Sequence, residues 1–469
     1  MKSINPPSHE EMLAAMDRRH VLFEASKVPG QWATSLSTVI EEMIIEFKSD
    51  YEIEIICSLH AGGRNPELKE LIKLARKKLK LTDPAHGMGH SAVKLRAMPY
   101  QWTDPERIPM REWLYGRHLI RKFVSATIAP GAVGKSSLMI GEMLAMVSGL
   151  SLLGTETEQL RVLYFNLEDP HEEIMRRIQA AAMYYGLMSD DIEDRLFVNC
   201  GRDQPLVIAE MTDGEAAICS PMVEALVAEI KDKGIDVVII DPFVSCHKLA
   251  ENDNGAIDMV VKEWGKVADQ ADCAIELVHH VRKGDQEVTV QSARGGGSFA
   301  DACRSVRVLN RMTEEEAKKC GVENRRLHFS VLDDKANMAP PADKRDWFKL
   351  ASVDLCNNPS GNGSGGDYIG VATKWTWPDP LEGVTGSDFE RAAAAIKAGQ
   401  WRASSQAKRW VGLPIAKALG LSLTVKSEKA KIAGLVKIWL ASGALVEVEK
   451  LDDESRKMKT FIEVAGDDD

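Results

Sequence analysis

Ala129-Pro-Gly-Ala-Val-Gly-Lys-Ser136 stands between an apolar run, Val124–Ile128, and a stretch with helical spacing, Lys135–Ser148. A strand, a glycine-containing loop and a helix in that order predict a phosphate-binding loop. Backbone N–H groups of a tight turn and the N-terminus of a helix cradle phosphate oxygens together. Gly131 and Gly134 are expected to supply the backbone freedom of the turn. Lys135 reaches the β and γ phosphates and Ser136 is placed to ligate Mg²⁺. Ala129, Pro130, Gly131, Ala132, Val133, Gly134, Lys135, Ser136 and the adjacent Ser137 are therefore the expected nucleotide contacts. The strict pattern opens on Gly, and Ala129 is a sterically small departure from it.

Outward from the loop, short apolar runs alternate with helical stretches: Val162–Leu167 before Pro170–Tyr185, Val237–Ile240 before Ala256–Ala271, then Cys273–Val278. Such alternation predicts an α/β fold with a mostly parallel central sheet. Further runs at Ser305–Leu309, Leu327–Val331 and Trp347–Leu355 read as antiparallel additions. Val237-Val-Ile-Ile-Asp241 is an apolar strand ending in a carboxylate, which delivers Asp241 to the metal side of the loop. Phe165-Asn-Leu-Glu-Asp-Pro170 ends a strand expected next to the loop's own strand. Glu168 is assigned the water-polarising role. Asp169 competes for it, or else caps the helix that starts at Pro170.

The run Cys273–Val278 leads into His279-His280. A histidine at this edge can sense the γ-phosphate, against the plainer reading of a packed or surface histidine. One of the pair is expected to point to the site, and His280 is favoured. Arg282–Gly297 (RKGDQEVTVQSARGGG) is basic and lacks helical periodicity, as a loop that binds single-stranded nucleic acid would be, or an ordinary surface loop. Arg294 and Arg304 are candidates for an arginine finger, with Arg304 preferred. Arg307, three residues on in what reads as a strand, should face the other way. A finger acting on a neighbouring subunit requires an oligomer.

The 469 residues suggest about three units, and 44% hydrophobic residues are enough for a sizeable core. A net charge of -11 argues against a surface that coats nucleic acid indiscriminately. Eight scattered cysteines without a C-x-x-C pair fit reduced thiols in the cytoplasm rather than a disulfide framework or a zinc site. Neither a secretion signal nor an 18-residue apolar span is read, so no membrane partner is expected. Residues 1–95 read as a helical accessory region, with basic helical spacing at Leu68–Lys80 and a strand or helix end at Tyr51–Cys57. Residues 96–380 read as the P-loop domain, and Asn357–Asp367 as a soft loop. From Thr385 to Gly466 there are 14 Lys+Arg against 9 Asp+Glu, a local excess of +5.

The motifs APGAVGKSSL, YFNLEDP, VVIIDPF, ELVHHVRKG and ARGGGSFADACRSVRVLNRM occur in that order. Together they resemble the RepA-type AAA ATPases, RecA-like hexameric helicases of plasmids, phages and prophages, over about Pro99–Trp377. The resemblance implies ATP and Mg²⁺ as ligands and ATP-driven translocation of a ring along single-stranded DNA through the loop 282–297. It implies Lys135 and Ser136 on phosphate and metal, Glu168 as base, Asp241 at the metal, His279 or His280 as sensor and an arginine after the loop as finger. Trp113-Leu-Tyr115 also resembles the family and is expected to pack near the base.

Residues 385–466 read as three helices and a two-stranded wing, a winged-helix-like domain. Lys426, Lys429, Lys431 and Lys437 lie on or beside its third helix and Arg456, Lys457 and Lys459 in its wing. Trp439 and Leu440 are expected to face its core. Duplex DNA or a protein is the expected partner of this tail. Two readings compete: a ring helicase, and a DNA-bound regulatory or loader ATPase without unwinding. A metabolic P-loop kinase is disfavoured, because HH-x-RK and RGGGS have no evident job in one.

Overall fold

The computed structural model describes residues 39–41, 43, 53, 67–79 and 99–466, except 213, 282–286, 293–296, 341–343, 360–364 and 454. The chain forms two compact units, Met1–Ile108 and Pro109–Asp469. In the first, helix α1 (Glu67–Leu79) buries Ile72, Ala75 and Arg76 and exposes Leu74. Apart from Ile53, Tyr51–Cys57 lies outside the described residues.

The second unit opens on a short hairpin, β1 (Trp113–Tyr115) and β2 (Leu119–Ile120). Strand β3 (Val124–Ala129) and helix α2 (Lys135–Ser148) enclose the phosphate loop. The chain continues through β4 (Val162–Asn166), α3 (His171–Tyr185), β5 (Leu196–Cys200), the hairpin β6 (Ala209–Thr212) and β7 (Glu215–Ile218), and α4 (Ser220–Lys233). There follow β8 (Val237–Asp241), α5 (Asn254–Ala271), β9 (Ala274–His280), α6 (Gly297–Ala302), β10 (Ser305–Arg311) and α7 (Glu314–Cys320). Strands β11 (His328–Ala336), β12 (Asp346–Asp354) and β13 (Tyr368–Trp375) complete a nine-stranded sheet in the order β13-β12-β11-β10-β3-β9-β8-β4-β5.

Every neighbour pair from β10 to β5 is parallel. Parallel neighbours need long crossovers, and the amphipathic helices supply them. Alternation along β8 shows the two faces: Val238 and Ile240 enter one apolar core with Trp264, Val237 and Ile239 the other with Leu138 and Ile174. The result is an α/β architecture with a mostly parallel central sheet, as expected from the sequence. Two strand expectations are corrected. Ser305–Leu309 belongs to β10, which pairs parallel with β3 and antiparallel only with β11. The strand before Glu168 is not beside the loop's strand, because β9 and β8 lie between β3 and β4. Apolar runs specify burial, and the order of strands depends on crossovers that a run does not encode.

The tail comprises α8 (Gly386–Lys397), β14 (Trp401–Arg402), α9 (Gly412–Leu419), α10 (Lys426–Ala441), β15 (Leu445–Leu451) and β16 (Met458–Val464). Its sheet has three strands, order β14-β16-β15, one more than the expected wing. It has its own apolar core, with Ile396, Trp410, Ile415, Leu435 and Trp439, while Leu440 is half-buried against it. Thr385 and Asp388 form a capping box that starts α8. Gly321, the left-handed C-cap of α7, lies against the first turn of α10: a Cβ there would stand 2.4 Å from Ser427 Cα and 2.5 Å from the Lys426 carbonyl oxygen. Lys431 Nζ donates to the Glu382 carbonyl at 2.6 Å. Among the described residues no helix is long and apolar enough to cross a membrane.

Candidate nucleotide site

Parallel strands deliver their C-terminal ends to one edge of the sheet, and four of those ends carry the site. Lys135, in the first turn of α2, is buried with Asp241 at the end of β8. Lys135 Nζ donates to Asp241 Oδ1 at 3.1 Å, and Ser136 Oγ donates to Asp241 Oδ2 at 3.0 Å. A serine hydroxyl and a carboxylate side by side are what Mg²⁺ takes from protein when phosphates and water fill the other positions. The ammonium beside them matches the phosphate charge. The residues present therefore fit a magnesium nucleotide.

Tyr164 and Asn166, two apart on β4 and so on one face, hold the metal-side carboxylate. Tyr164 hydroxyl donates to Asp241 Oδ2 at 3.1 Å, and Asn166 Nδ2 donates to Tyr164 at 3.1 Å. Burial pushes the Tyr164 hydroxyl well above its ordinary pKa and the Asp241 carboxylate adds to the shift, so the tyrosine remains a donor. Asn166 Oδ1 also accepts the N–H of Glu168 at 3.1 Å and of Asp169 at 2.8 Å, which fixes the turn after β4. The two residues stand in the quoted YFNLEDP, and their period-two spacing was the signal that the reading missed.

Glu168 Oε1 comes within 4.0 Å of His280 Nε2. Burial raises the Glu168 carboxyl above its ordinary range; Lys135 opposes this, and Asp241 and Asp169 add to it. Asp169 does not cap α3. It accepts from Arg177 Nη1 at 2.7 Å, and the N-cap of α3 is Pro170. Strand β9 separates the histidine pair. His279 is buried against Phe299 and Phe243, with centroids 4.6 Å and 5.6 Å away. His280 Nε2 lies 3.1 Å from Lys135 Nζ. An ammonium only donates, so this contact assigns His280 Nε2 as an acceptor and its proton to Nδ1.

The loop itself departs from expectation at one point. Gly134 has φ 110°, and a Cβ there would lie 2.9 Å from the Phe329 ring, so glycine is required. Gly131 is not left-handed, and a Cβ on it would meet nothing within 4 Å. The left-handed residue besides Gly134 is Ala132, at φ 56°. Ser137 Oγ donates to the Gly370 carbonyl at 2.8 Å, tying α2 to β13.

The arginines divide. Arg304 is exposed, precedes β10, and donates its N–H to the Val124 carbonyl at 2.9 Å, at the opposite end of the strands from the phosphate loop. Lys135, Ser136, Glu168, Asp241 and His280 converge; Arg304 of the same chain does not join them. Arg307 is buried and pairs with Glu142 through Nη1 at 2.6 Å and Nη2 at 2.5 Å, with Nε donating to Thr127 Oγ1 at 2.8 Å. It is unavailable as a finger. Arg294 lies outside the described residues, as do 282–286 of the basic loop. The described middle of that loop is anchored: Val288 N–H donates to Asn310 Oδ1 at 2.7 Å and its side chain is buried. In the element Trp113–Tyr115, Leu114 and Tyr115 are core, Tyr115 lying beside Glu142 and Thr155, and Trp113 is half-buried.

Among solved structures, the crystal structure of the RadB recombinase is similar at 13% identity and a TM-score of 0.33, covering 49% of this chain and 88% of that one. A family model described as an AAA domain matches residues 90–286, which include the phosphate loop, Glu168, Asp241 and both histidines. Less than half of the 469 residues take part in that match. Over this segment the chain is similar to AAA domains.

Proposed function

We propose that the chain is a RecA-like, RepA-type ATPase that acts as a ring on single-stranded DNA, a helicase or translocase of plasmid or phage replication. The observation that carries the hydrolytic part is the convergence of Lys135, Ser136 and Asp241 with Glu168 and His280 at one sheet edge. Lys135 and the N–H groups of the loop bind the β and γ phosphates. Mg²⁺, held beside Ser136 and Asp241, supplies neutralisation of the charge that develops on them. Glu168 takes a proton from the attacking water, whose oxygen bonds to the γ-phosphorus as the bond to the β–γ bridging oxygen breaks and ADP leaves. His280, hydrogen-bonded to Lys135 and near Glu168, is positioned to register whether the γ-phosphate is there. Arg304 acts as finger on the neighbouring subunit's site. The DNA-binding part rests on the basic residues of 282–297.

One observation favours the second reading, a regulatory or loader ATPase. The N-terminal turn of a recognition helix is what enters a major groove, and in α10 that turn lies against Gly321. Duplex binding by the tail then requires separation from the ATPase core, as a switch would use. The test is ATP turnover with and without single-stranded DNA, followed by strand displacement. Stimulation severalfold by single strands with displacement is expected. A rate indifferent to DNA of any form contradicts the translocase, and stimulation by duplex alone without displacement favours the switch.

A further inference from the structure

Arg311 ends β10, and its guanidinium lies on the phosphate loop. Nη2 donates to the Gly131 carbonyl at 2.7 Å and to the Ala132 carbonyl at 3.0 Å. These are the carbonyls on either side of Ala132, the one residue of the loop that takes left-handed backbone without being glycine. An alanine in that region costs about 1–2 kcal/mol relative to the right-handed one, and such conformations persist only where the surroundings hold them.

A trans peptide is planar, and its C=O and N–H point in opposite directions. A donor that holds the Gly131 carbonyl on the β10 side turns the Ala132 N–H away from that side, and the Ala132 carbonyl likewise orients the Val133 N–H. Those two N–H groups belong to the turn that leads into Gly134 and the N-terminus of α2. We infer that Arg311 is a positioning residue of the phosphate site: through two carbonyls it fixes the peptides flanking Ala132 so that their N–H groups are arranged for a nucleotide's phosphates. It works within its own chain and through the backbone. In this it differs from the finger role proposed for Arg304. The inference rests on the reading of this loop as a nucleotide site.

The guanidinium suits the task because one planar group offers several donors in fixed directions, whereas an ammonium on a flexible stem does not. The test titrates a fluorescent ADP analogue with Mg²⁺ into the full chain, wild type, Arg311→Ala and Arg311→Lys, and follows kcat and KM for ATP. Charge-assisted hydrogen bonds of this kind imply a loss of affinity of roughly tenfold to a hundredfold in Arg311→Ala. Arg311→Lys is expected to fall between the two. KM is expected to rise in step with the dissociation constant while kcat at saturation changes far less. Wild-type affinity in Arg311→Ala overturns the inference. So does a fall in kcat at unchanged affinity, which would make Arg311 a transition-state group. Should the alanine variant not fold, Arg311→Lys and Arg311→Gln decide: wild-type affinity in both overturns it. A wild-type chain that binds no nucleotide overturns the nucleotide reading first, and this inference with it.

Discussion

Arg307→Ala is expected to lower stability by about 3–5 kcal/mol, the cost of leaving buried charge without its partner. The guanidinium lies in a buried chain of polar groups contributed by α2, β3, β9 and β10. It is paired with Glu142 of α2 on one side and approaches Glu276 of β9 within 3.8 Å on the other. Glu276 in turn accepts from Thr127 and meets His118 Nε2 at 2.9 Å, whose Nδ1 reaches Ser305 Oγ at 2.9 Å. Burial alone would lower the Arg307 pKa and raise that of Glu276. The Glu142 carboxylate reverses the first, and His118, with Arg307 and Thr127, reverses the second. Removing the arginine strands the Glu142 carboxylate at a side-chain exposure of 8% and takes a cation from beside Glu276, which keeps Thr127 and His118. Thermal unfolding checks this, with exposed Arg304→Ala as the control, expected within about 0.5 kcal/mol of wild type. The double variant Glu142→Met/Arg307→Met is expected to be less destabilised than Arg307→Ala, since it removes both members of the pair. An Arg307→Ala protein that melts with the wild type would show that the pair does not hold the sheet to α2.

Glu168→Gln is expected to reduce kcat by about 10²–10⁴ while nucleotide affinity is largely retained, the signature of a lost base. The amide keeps the shape of the side chain and cannot take a proton. The pH dependence follows in sign from the environment of the carboxyl. Burial raises its pKa, so it takes up a proton at a higher pH than an ordinary glutamate does. As pH falls, the base is lost early, and the acidic limb of kcat lies above the usual carboxylate range. A pH–rate profile reads that limb directly. Wild-type turnover in Glu168→Gln would move the role elsewhere. Asp169 is a poor successor, because Arg177 holds it.

What was legible in the sequence was local. The loop between β3 and α2, the carboxylate ending β8 and the histidine pair ending β9 are each written in a few adjacent residues, and a parallel sheet gathers such ends at one edge. What escaped depends on pairings distant along the chain. Arg307 reads only as a strand residue facing away from Arg304, because its partner Glu142 lies 165 residues earlier. The lateral position of β4 is set by crossovers, so Glu168 reaches the site from a strand that is not adjacent to β3. Left-handed backbone fell on Ala132 where Gly131 was expected to take it, since a glycine shows only that such a conformation is cheap. The docking of α10 on Gly321 is likewise invisible in either segment alone.

The central claim, that the Lys135–Asp241 end of the sheet is an ATP-hydrolysing centre, is tested most directly by phosphate release from Mg²⁺-ATP by the full chain and its Lys135→Ala variant. Lys135 supplies the buried cation facing the phosphates, paired at 3.1 Å with Asp241. The expected result is steady turnover by the wild type and background release by the variant. Normal turnover in Lys135→Ala would contradict the assignment of the site.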